Sequence, residues 1–370
     1  MKSSANARHE DLNEQTTSVE VFTRLDELPI DVQDLFSAAE RKSPELSLDW
    51  FRNLADTVFR DDPGVRLYVL RKAGTVIAIL PLRLIAEKAA TRAESLTNYY
   101  SAFFAPALDN AVSAEELAVL LKFVCRDGRA VASFRLSPMD PEAPEFTKLL
   151  RAFKLAGLRP FRYFCFGNWY LKVNQDWASY LKSRSGTLRN TIKRLGKRLT
   201  NDGGQLELVT GGAELARAID AYQAVYGASW KGAEPYLDFV PGLARWTATR
   251  GWLRLGVARV NDVPIAAQLW MVTNGRAEIY KVAYHQDYQS YAPGTLLTAM
   301  LMEHAFETDK VFEVDYLIGD DAYKKTWMSD RRERWGIVAY NPRNLSGLAG
   351  WLREYLGRTY RKVRPRVGTN

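Results

Sequence analysis

The sequence predicts a mixed α/β (α+β) protein made of two similar halves, and three observations carry that prediction. The 370 residues are 47% hydrophobic, 12% aromatic and 25% charged, a folded-chain balance with length enough for two domains. Short runs of β-branched and aromatic residues alternate with segments whose apolar residues recur at helical spacing. The order of these segments in the first half then returns in the second.

Residues 1–17 are polar and charged without an apolar stretch, which predicts a disordered tail and no signal peptide. A strand follows at 19–22 and a helix at 47–59. The runs 66–71 and 76–85 flank Ala73-Gly74 and read as a hairpin. Helices at 114–125 and 145–156 alternate with strands at 131–136 and 161–166. The second half opens with a helix over 177–199, its stripe Leu188, Ile192, Leu195 and Leu199 stopped by Gly203-Gly204. A strand at 206–209, a helix at 215–226 and a hairpin of 253–260 with 264–272 across Asn261-Asp262 come next. A third consecutive strand at 277–284, a helix at 295–306 and a strand at 312–317 complete the pattern. The expected division is an N-terminal domain at 18–168, a C-terminal domain at 169–342 and a basic amphipathic tail at 343–370.

Lys and Arg number 51 against 43 Asp and Glu, a net +8 that favours a polyanionic partner. Cys125 and Cys165 stand in separate apolar segments, which excludes a disulfide framework and fits a reducing, cytoplasmic compartment. His9, His285 and His304 are too scattered for a metal centre, so no metal is expected. No run reaches the roughly 18 apolar residues that a membrane span requires.

The most informative stretch joins the strand end Lys281-Val282-Ala283-Tyr284 to the loop Gln289-Ser290-Tyr291-Ala292-Pro293-Gly294-Thr295 and then a helix. Small residues at Ala292 and Gly294 let backbone amides approach an anion, and the helix dipole points to the same place. The plain alternative is a helix-start loop capped by Thr295.

Three strands, a glycine-bearing turn, a helix and a further strand resemble the acyl-CoA-binding core of the GCN5-related N-acetyltransferase (GNAT) superfamily. In that family the loop reads Q/R-x-x-G-x-G/A. Gln289 holds its first position, Ala292 replaces the first glycine, Gly294 matches the second small residue, and Pro293 removes one amide donor. A narrower resemblance over 181–327 is to the FemAB-like and BioF2-like (cellulose biosynthesis protein-like) group. The basic helix 189–198, Trp230, Ile265-Ala266-Ala267-Gln268, Asp315-Tyr316-Leu317-Ile318-Gly319 and Tyr323-Lys324-Lys325-Thr326-Trp327 carry it.

The resemblance implies tandem GNAT-like mixed sheets flanked by helices, with a degenerate first unit and an acyl-CoA site in the second. It implies an acyltransferase that moves an acyl group, acetyl foremost, from acyl-CoA to an amine of a small molecule or cell-envelope or polysaccharide precursor. Val282, Ala283 and Tyr284 would meet the acyl and pantetheine arm, and Gln289, Ser290, Ala292, Gly294 and Thr295 the pyrophosphate. Tyr323 would be the general acid, Asp315 the proton acceptor, and Lys324 the partner of a phosphate or oxyanion. The bland reading makes Tyr323 a packing residue and the aspartates turn caps. Arg189, Trp230 and Gln268 are the acceptor-side candidates.

Seven basic residues and no acidic one lie between Lys182 and Arg198, a face suited to RNA, an acidic acceptor or the CoA 3′-phosphate, or simply to solvent. FemAB-type relatives in the resemblance make an aminoacyl-tRNA-dependent transferase the first rival reading, and a non-catalytic scaffold of envelope assembly the second. The tail places Leu345, Leu348, Trp351, Leu352, Tyr355 and Leu356 on one apolar face beside a basic run. It would dock on its own domain, or make a peripheral contact with an anionic membrane through 345–367.

Overall fold

The computed structural model describes residues 17–127 and 131–363. The expected tail, apart from Thr17, and the basic residues Arg364 and Arg366 lie outside them. The chain divides into two compact units, one of residues up to 55, 59–165 and 333 onward, the other of 56–58 and 166–332.

The chain begins with β1 (Thr17–Phe22), α1 (Gln33–Glu40) and α2 (Leu48–Asn53). β2 (Val65–Lys72) and β3 (Thr75–Ala86) form the expected hairpin, because Ala73 and Gly74 take φ of 47° and 80°, the left-handed pair that a two-residue turn needs. β4 (Thr91–Ser95), β5 (Ala107–Leu108), α3 (Ala114–Val124), β6 (Val131–Met139), α4 (Pro144–Leu155) and β7 (Arg159–Lys172) follow.

From Phe166 the chain belongs to the second unit. The helix expected over 177–199 is two, α5 (Trp177–Ser183) and α6 (Gly186–Asn201), because Ser185 turns extended and its hydroxyl accepts from the Leu188 amide at 3.2 Å. β8 (Gly204–Val209), α7 (Leu215–Gly227), α8 (Phe239–Thr249), β9 (Leu253–Val260), β10 (Val263–Thr273), β11 (Arg276–Tyr284), α9 (Pro293–Glu307) and β12 (Glu313–Asp315) complete it. β13 (Asp330–Tyr340) brings the chain back to the first unit, where α10 (Leu345–Val363) ends the description.

The strand order in the first unit is β1-β2-β3-β4-β6-β13, with β5 beside β3; in the second it is β8-β9-β10-β11-β12-β7. Every neighbouring pair in these orders is antiparallel except β4 with β6 and β11 with β12. The two sets of strands therefore share one topology, as the repeated order of elements predicts. Each sixth strand comes from outside its own five: β13 from the chain's return, β7 from the stretch preceding the second set.

In the second unit the α6 stripe of Leu188, Leu195 and Leu199 meets Leu296, Leu297 and Leu301 of α9 in one buried cluster with Trp270 of β10. Burying six such side chains supplies roughly 10 kcal/mol of favourable transfer free energy. The sheet thereby fixes where α9 starts.

Residues 333–342, expected in the C-terminal domain, belong to the first unit, and so does α10, expected as a separate tail. Gly347 is the reason α10 docks closely. It is buried, and a Cβ there would collide with the carbonyl of Asn341 and lie 2.6 Å from that of Ala132. Gly347→Ala is therefore expected to cost about 2–4 kcal/mol in urea unfolding, whereas a detached tail would leave the midpoint unchanged.

Candidate functional site

β11 and β12 run parallel for only three residue pairs, Arg276 with Glu313, Ala277 with Val314 and Glu278 with Asp315. β11 nevertheless continues to Tyr284, pairing along its other side with β10. On that side Leu269 faces Lys281 and Trp270 faces Ile279, so Tyr280 is an inserted residue, a β-bulge that bends the strand. Beyond Glu278 one edge of β11 has no strand partner among the described residues.

The residues after β12 explain why it leaves. The Tyr316 amide bonds to Trp169 O at 2.9 Å and the Gly319 amide to Gly167 O at 3.1 Å, so the chain stays with β7. Leu317 takes φ of 54°, a conformation costly to a branched side chain. It is held there by the Asp315 carboxylate, which accepts from the Leu317 amide at 2.7 Å and from the Asn168 side chain.

The loop after β11 ends on Ala292 at φ 47° and ψ 49°, and α9 begins at Pro293 with no side-chain cap and no acidic residue in its first turn. The Ala292 amide bonds to Gln289 O, and the amides of Thr295 and Leu296 both bond to Ala292 O. Pro293 has no amide hydrogen, which leaves the Gly294 N–H as the donor aimed out of the helix start. Gln289 and Ser290 are exposed, and Ala292, Gly294 and Thr295 half-buried. A Cβ on Gly294 would sit 3.6 Å from the Tyr284 ring, so the free strand edge and the helix start adjoin. These features fit an elongated ligand that ends in phosphates: an edge for amide pairing and an uncapped helix start for the anion.

Alternation decides which groups of β11 face that edge. Val282 O accepts from Lys231 Nζ at 2.7 Å, while the His285 amide turns to Ile265 O at 2.8 Å. Val282 and Tyr284 therefore present their backbone to the edge, and Ala283, fully buried and opposite Ala267, presents its own to β10. Ala283 is corrected from a ligand contact to a sheet residue. Gln268 is corrected likewise from an acceptor-pocket residue. It is fully buried, its Nε2 donates to Gly294 O at 2.9 Å and Thr298 Oγ1 at 2.8 Å, and its Oε1 accepts from Trp270 Nε1 at 2.9 Å. It pins the start of α9 to β10.

Asp315 is corrected from base to structural carboxylate. It is 3% exposed, and its second oxygen pairs with Arg332, which also bonds Glu313 at 2.9 Å and Asn168 Oδ1 at 2.7 Å. Both oxygens are thus engaged in holding the turn. Lys324, also buried, points its ammonium at the carbonyls of Tyr316, Ile318 and Gly319 and pairs with Asp321 at 3.4 Å; burial holds its pKa below the ordinary lysine value. It stabilises the departing turn. Tyr323 differs from both. Its ring lies edge-on to Tyr316 at 5.7 Å, half of its surface is exposed, and burial of the rest together with Asp321 pushes the phenol up to about 12. It keeps its proton at neutral pH.

Trp230, 51% exposed, packs on Tyr284 with ring centroids 4.6 Å apart. Arg189 is exposed on α6 and meets none of these groups; Arg198 of the same helix lies 4.6 Å over the loop residue Tyr291, whose hydroxyl donates to Asp202. Lys231 escaped the sequence reading. Desolvation, with the nearby Lys281 ammonium, lowers it to about 8, although one flank of the side chain stays in solvent. No local signal marks it, because Lys231 and Val282 are far apart in sequence.

The first unit has the same strands without the opening. β4 pairs with β3 through Ser95 and with β6 through Glu94, and the hydroxyls of Ser95 and Thr97 donate to Ser137 O at 2.8 and 3.1 Å. Its helix α3 carries a capping box, with Glu116 accepting from the Ser113 amide at 2.7 Å, which fills the helix start with a carboxylate. An anion is repelled there.

The buried Arg332 pair makes a direct prediction. Arg332→Met leaves the buried Asp315 carboxylate without its cationic partner and Glu313 with only Arg276 at 3.7 Å, and is expected to cost about 3–5 kcal/mol in urea unfolding. A loss below about 1 kcal/mol, the range of a surface pair, would mean that the cluster does not hold the turn.

Residues 186–325, from α6 to the turn after β12, match the family model described as an acetyltransferase (GNAT) domain. Among solved structures the chain is similar to FemX, with 13% identity, a TM-score of 0.58, and coverage of 85% of this chain and 96% of that one. It is also similar to a conserved protein of unknown function from Bacteroides thetaiotaomicron VPI-5482, with 11% identity, a TM-score of 0.53, and coverage of 85% and 98%. At these identities both likenesses are of fold. No curated protein matches the chain. The matched domain surrounds the parted strands and the uncapped helix: residues 186–325 form an acetyltransferase (GNAT) domain, the mark of an N-acyltransferase, within a fold like that of FemX.

Proposed function

We propose that the second unit transfers an acyl group, acetyl foremost, from acyl-CoA to the amine of a small molecule or a cell-envelope or polysaccharide precursor. The observation that carries this reading is the free edge of β11 running from the Tyr280 bulge to the Gly294 amide. Val282 and Tyr284 offer strand-type hydrogen bonds to an amide-bearing arm, and the Gly294 N–H with the α9 dipole meets a pyrophosphate. Gln289, Ser290 and Thr295 flank that end, and Trp230 on Tyr284 marks the acceptor side.

Transfer forms a C–N bond as the amine attacks the thioester carbonyl and breaks the C–S bond as the tetrahedral adduct collapses. The departing thiolate takes the Tyr323 proton, which a phenol held near 12 retains until that moment. The proton lost by the amine passes to neutral Lys231, populated because its pKa is lowered to about 8.

Three measurements test this. Gly294→Trp fills the approach to the helix start and is expected to weaken acyl-CoA binding at least tenfold by calorimetry, with the melting temperature unchanged; unaltered affinity removes the assignment. Tyr323→Phe is expected to lower kcat about 10²–10⁴-fold at unchanged donor affinity. Below its pKa Lys231 is protonated and inactive as a base, so the rate rises with pH through about 8, and Lys231→Met abolishes that limb.

A second reading, a FemAB-type transferase fed by aminoacyl-tRNA, draws on α6. Arg189, Lys193, Arg194 and Lys197 are exposed there without acidic neighbours on the helix, and Arg198 reaches the loop. A tRNA gel-shift that weakens steeply with salt, alongside absent acyl-CoA binding, would favour it.

A further inference from the structure

Helix α10 is amphipathic with its apolar stripe turned outward. Gly347, Gly350, Trp351, Glu354 and Arg358 lie on the side against the first unit: a Cβ on Gly350 would sit 2.7 Å from the Tyr340 ring, and Arg358 donates to Arg162 O at 2.9 Å. At 100° per residue the opposite side carries Leu345, Leu352, Leu356 and Tyr360, which are 87%, 43%, 63% and 62% exposed. Glycines allow the close contact inward beside the half-buried Leu348 and Trp351, and Leu345, Leu352, Leu356 and Tyr360 face solvent. Of the apolar face expected to dock on its own domain, Leu348 and Trp351 are half-buried, whereas Leu345, Leu352, Tyr355 and Leu356 are left exposed.

Beside that stripe opens a cavity of about 530 Å³, lined among others by Phe161, Arg162, Phe164, Trp335, Tyr355 and Arg358. The Arg162 guanidinium lies 5.2 Å from the Phe146 ring centroid and 5.0 Å from that of Trp335, and it has no carboxylate partner among the described residues. Arg358 shares its charge with Glu354 at 2.7 Å. The cavity is cationic, aromatic and open on the flank of the helix, a setting for one phosphate beside an apolar surface.

We propose that this face is a docking site for an anionic bilayer: the α10 stripe enters the boundary between headgroups and acyl chains, and Arg162 with Arg358 holds a lipid phosphate. The charge of the segment selects this occupant. Arg353 flanks the stripe, Arg358 lines the cavity beside it, and the sequence continues with Arg361, Lys362, Arg364 and Arg366 against the single acid Glu354. Among the described residues no helix is long and apolar enough to cross a membrane, so contact is in the interface plane.

The test is co-sedimentation of the full chain with phosphatidylcholine vesicles, with and without phosphatidylglycerol. Binding is expected only with the anionic lipid, weaker with added salt, and lost in Leu352→Glu/Leu356→Glu. Arg162→Gln is expected to weaken it about fivefold, and thioester turnover in solution is expected to be unchanged in both variants. A milder pair, Leu352→Ser/Leu356→Ser, gives the same reading should the glutamates lower the melting temperature. The proposal is overturned by absent wild-type binding, by equal binding of the leucine variants, or by a dimer seen in light scattering that those variants dissolve. Each of these outcomes is independent of acyl transfer, which is read separately.

Discussion

The second unit depends on one parting of strands. β12 stops at Asp315 because its carboxylate is committed to the Leu317 amide, Asn168 and Arg332, which holds Leu317 in a left-handed turn and sends the chain along β7. A buried carboxylate with Arg332 removed would be costly, so the turn and the ion pair stand or fall together. Lys324 completes the arrangement by binding the carbonyls exposed when Tyr316, Ile318 and Gly319 leave the sheet. Two residues that suggest catalysis by their chemistry are the ones that keep the edge of β11 open.

One topology with two outcomes shows how little a fold alone says about a site. In the first unit the chain after β4 remains tied to β6 through Ser95 and Thr97, and Glu116 occupies the start of α3. In the second the corresponding strand is bulged at Tyr280, and the corresponding helix starts without a cap or an acid. A handful of polar side chains closes one sheet, and their absence leaves the other receptive.

The sequence makes much of the fold legible, because its signals are local. The left-handed pairs Ala73-Gly74 and Asn261-Asp262 fix both hairpins, and the Leu188 stripe fixes the buried side of α6. β13 escapes notice because Asp330, Arg331, Arg332, Glu333 and Arg334 open it with charges that are satisfied only across space, as Arg332 is by Asp315. α8 is hidden by Pro241 and Gly242 in its first turns, where proline is tolerated. At the site, the loop around Gly294 is readable as a helix start. The roles of Asp315, Lys324 and Gln268 are not, since a side chain's chemistry is visible in sequence and its partners are not. The pairing of Lys231 with Val282 O joins segments that no spacing rule connects.

The loop itself carries strain that the surrounding sheet holds. Ala292 at φ 47° sits where a β-carbon costs roughly 1–2 kcal/mol, and glycine would relieve it. The conformation persists because Pro293 fixes the next φ and Gln268 grips Gly294 O, while Trp270 in turn orients the Gln268 amide at 2.9 Å. An alanine locked in this shape leaves the Gly294 N–H already aimed. Glycine would make the same turn more freely, and an anion would then have to order it on binding. The substitution that looks like a departure from the family's glycine is thus compatible with a rigid donor, provided the buried glutamine stays in place.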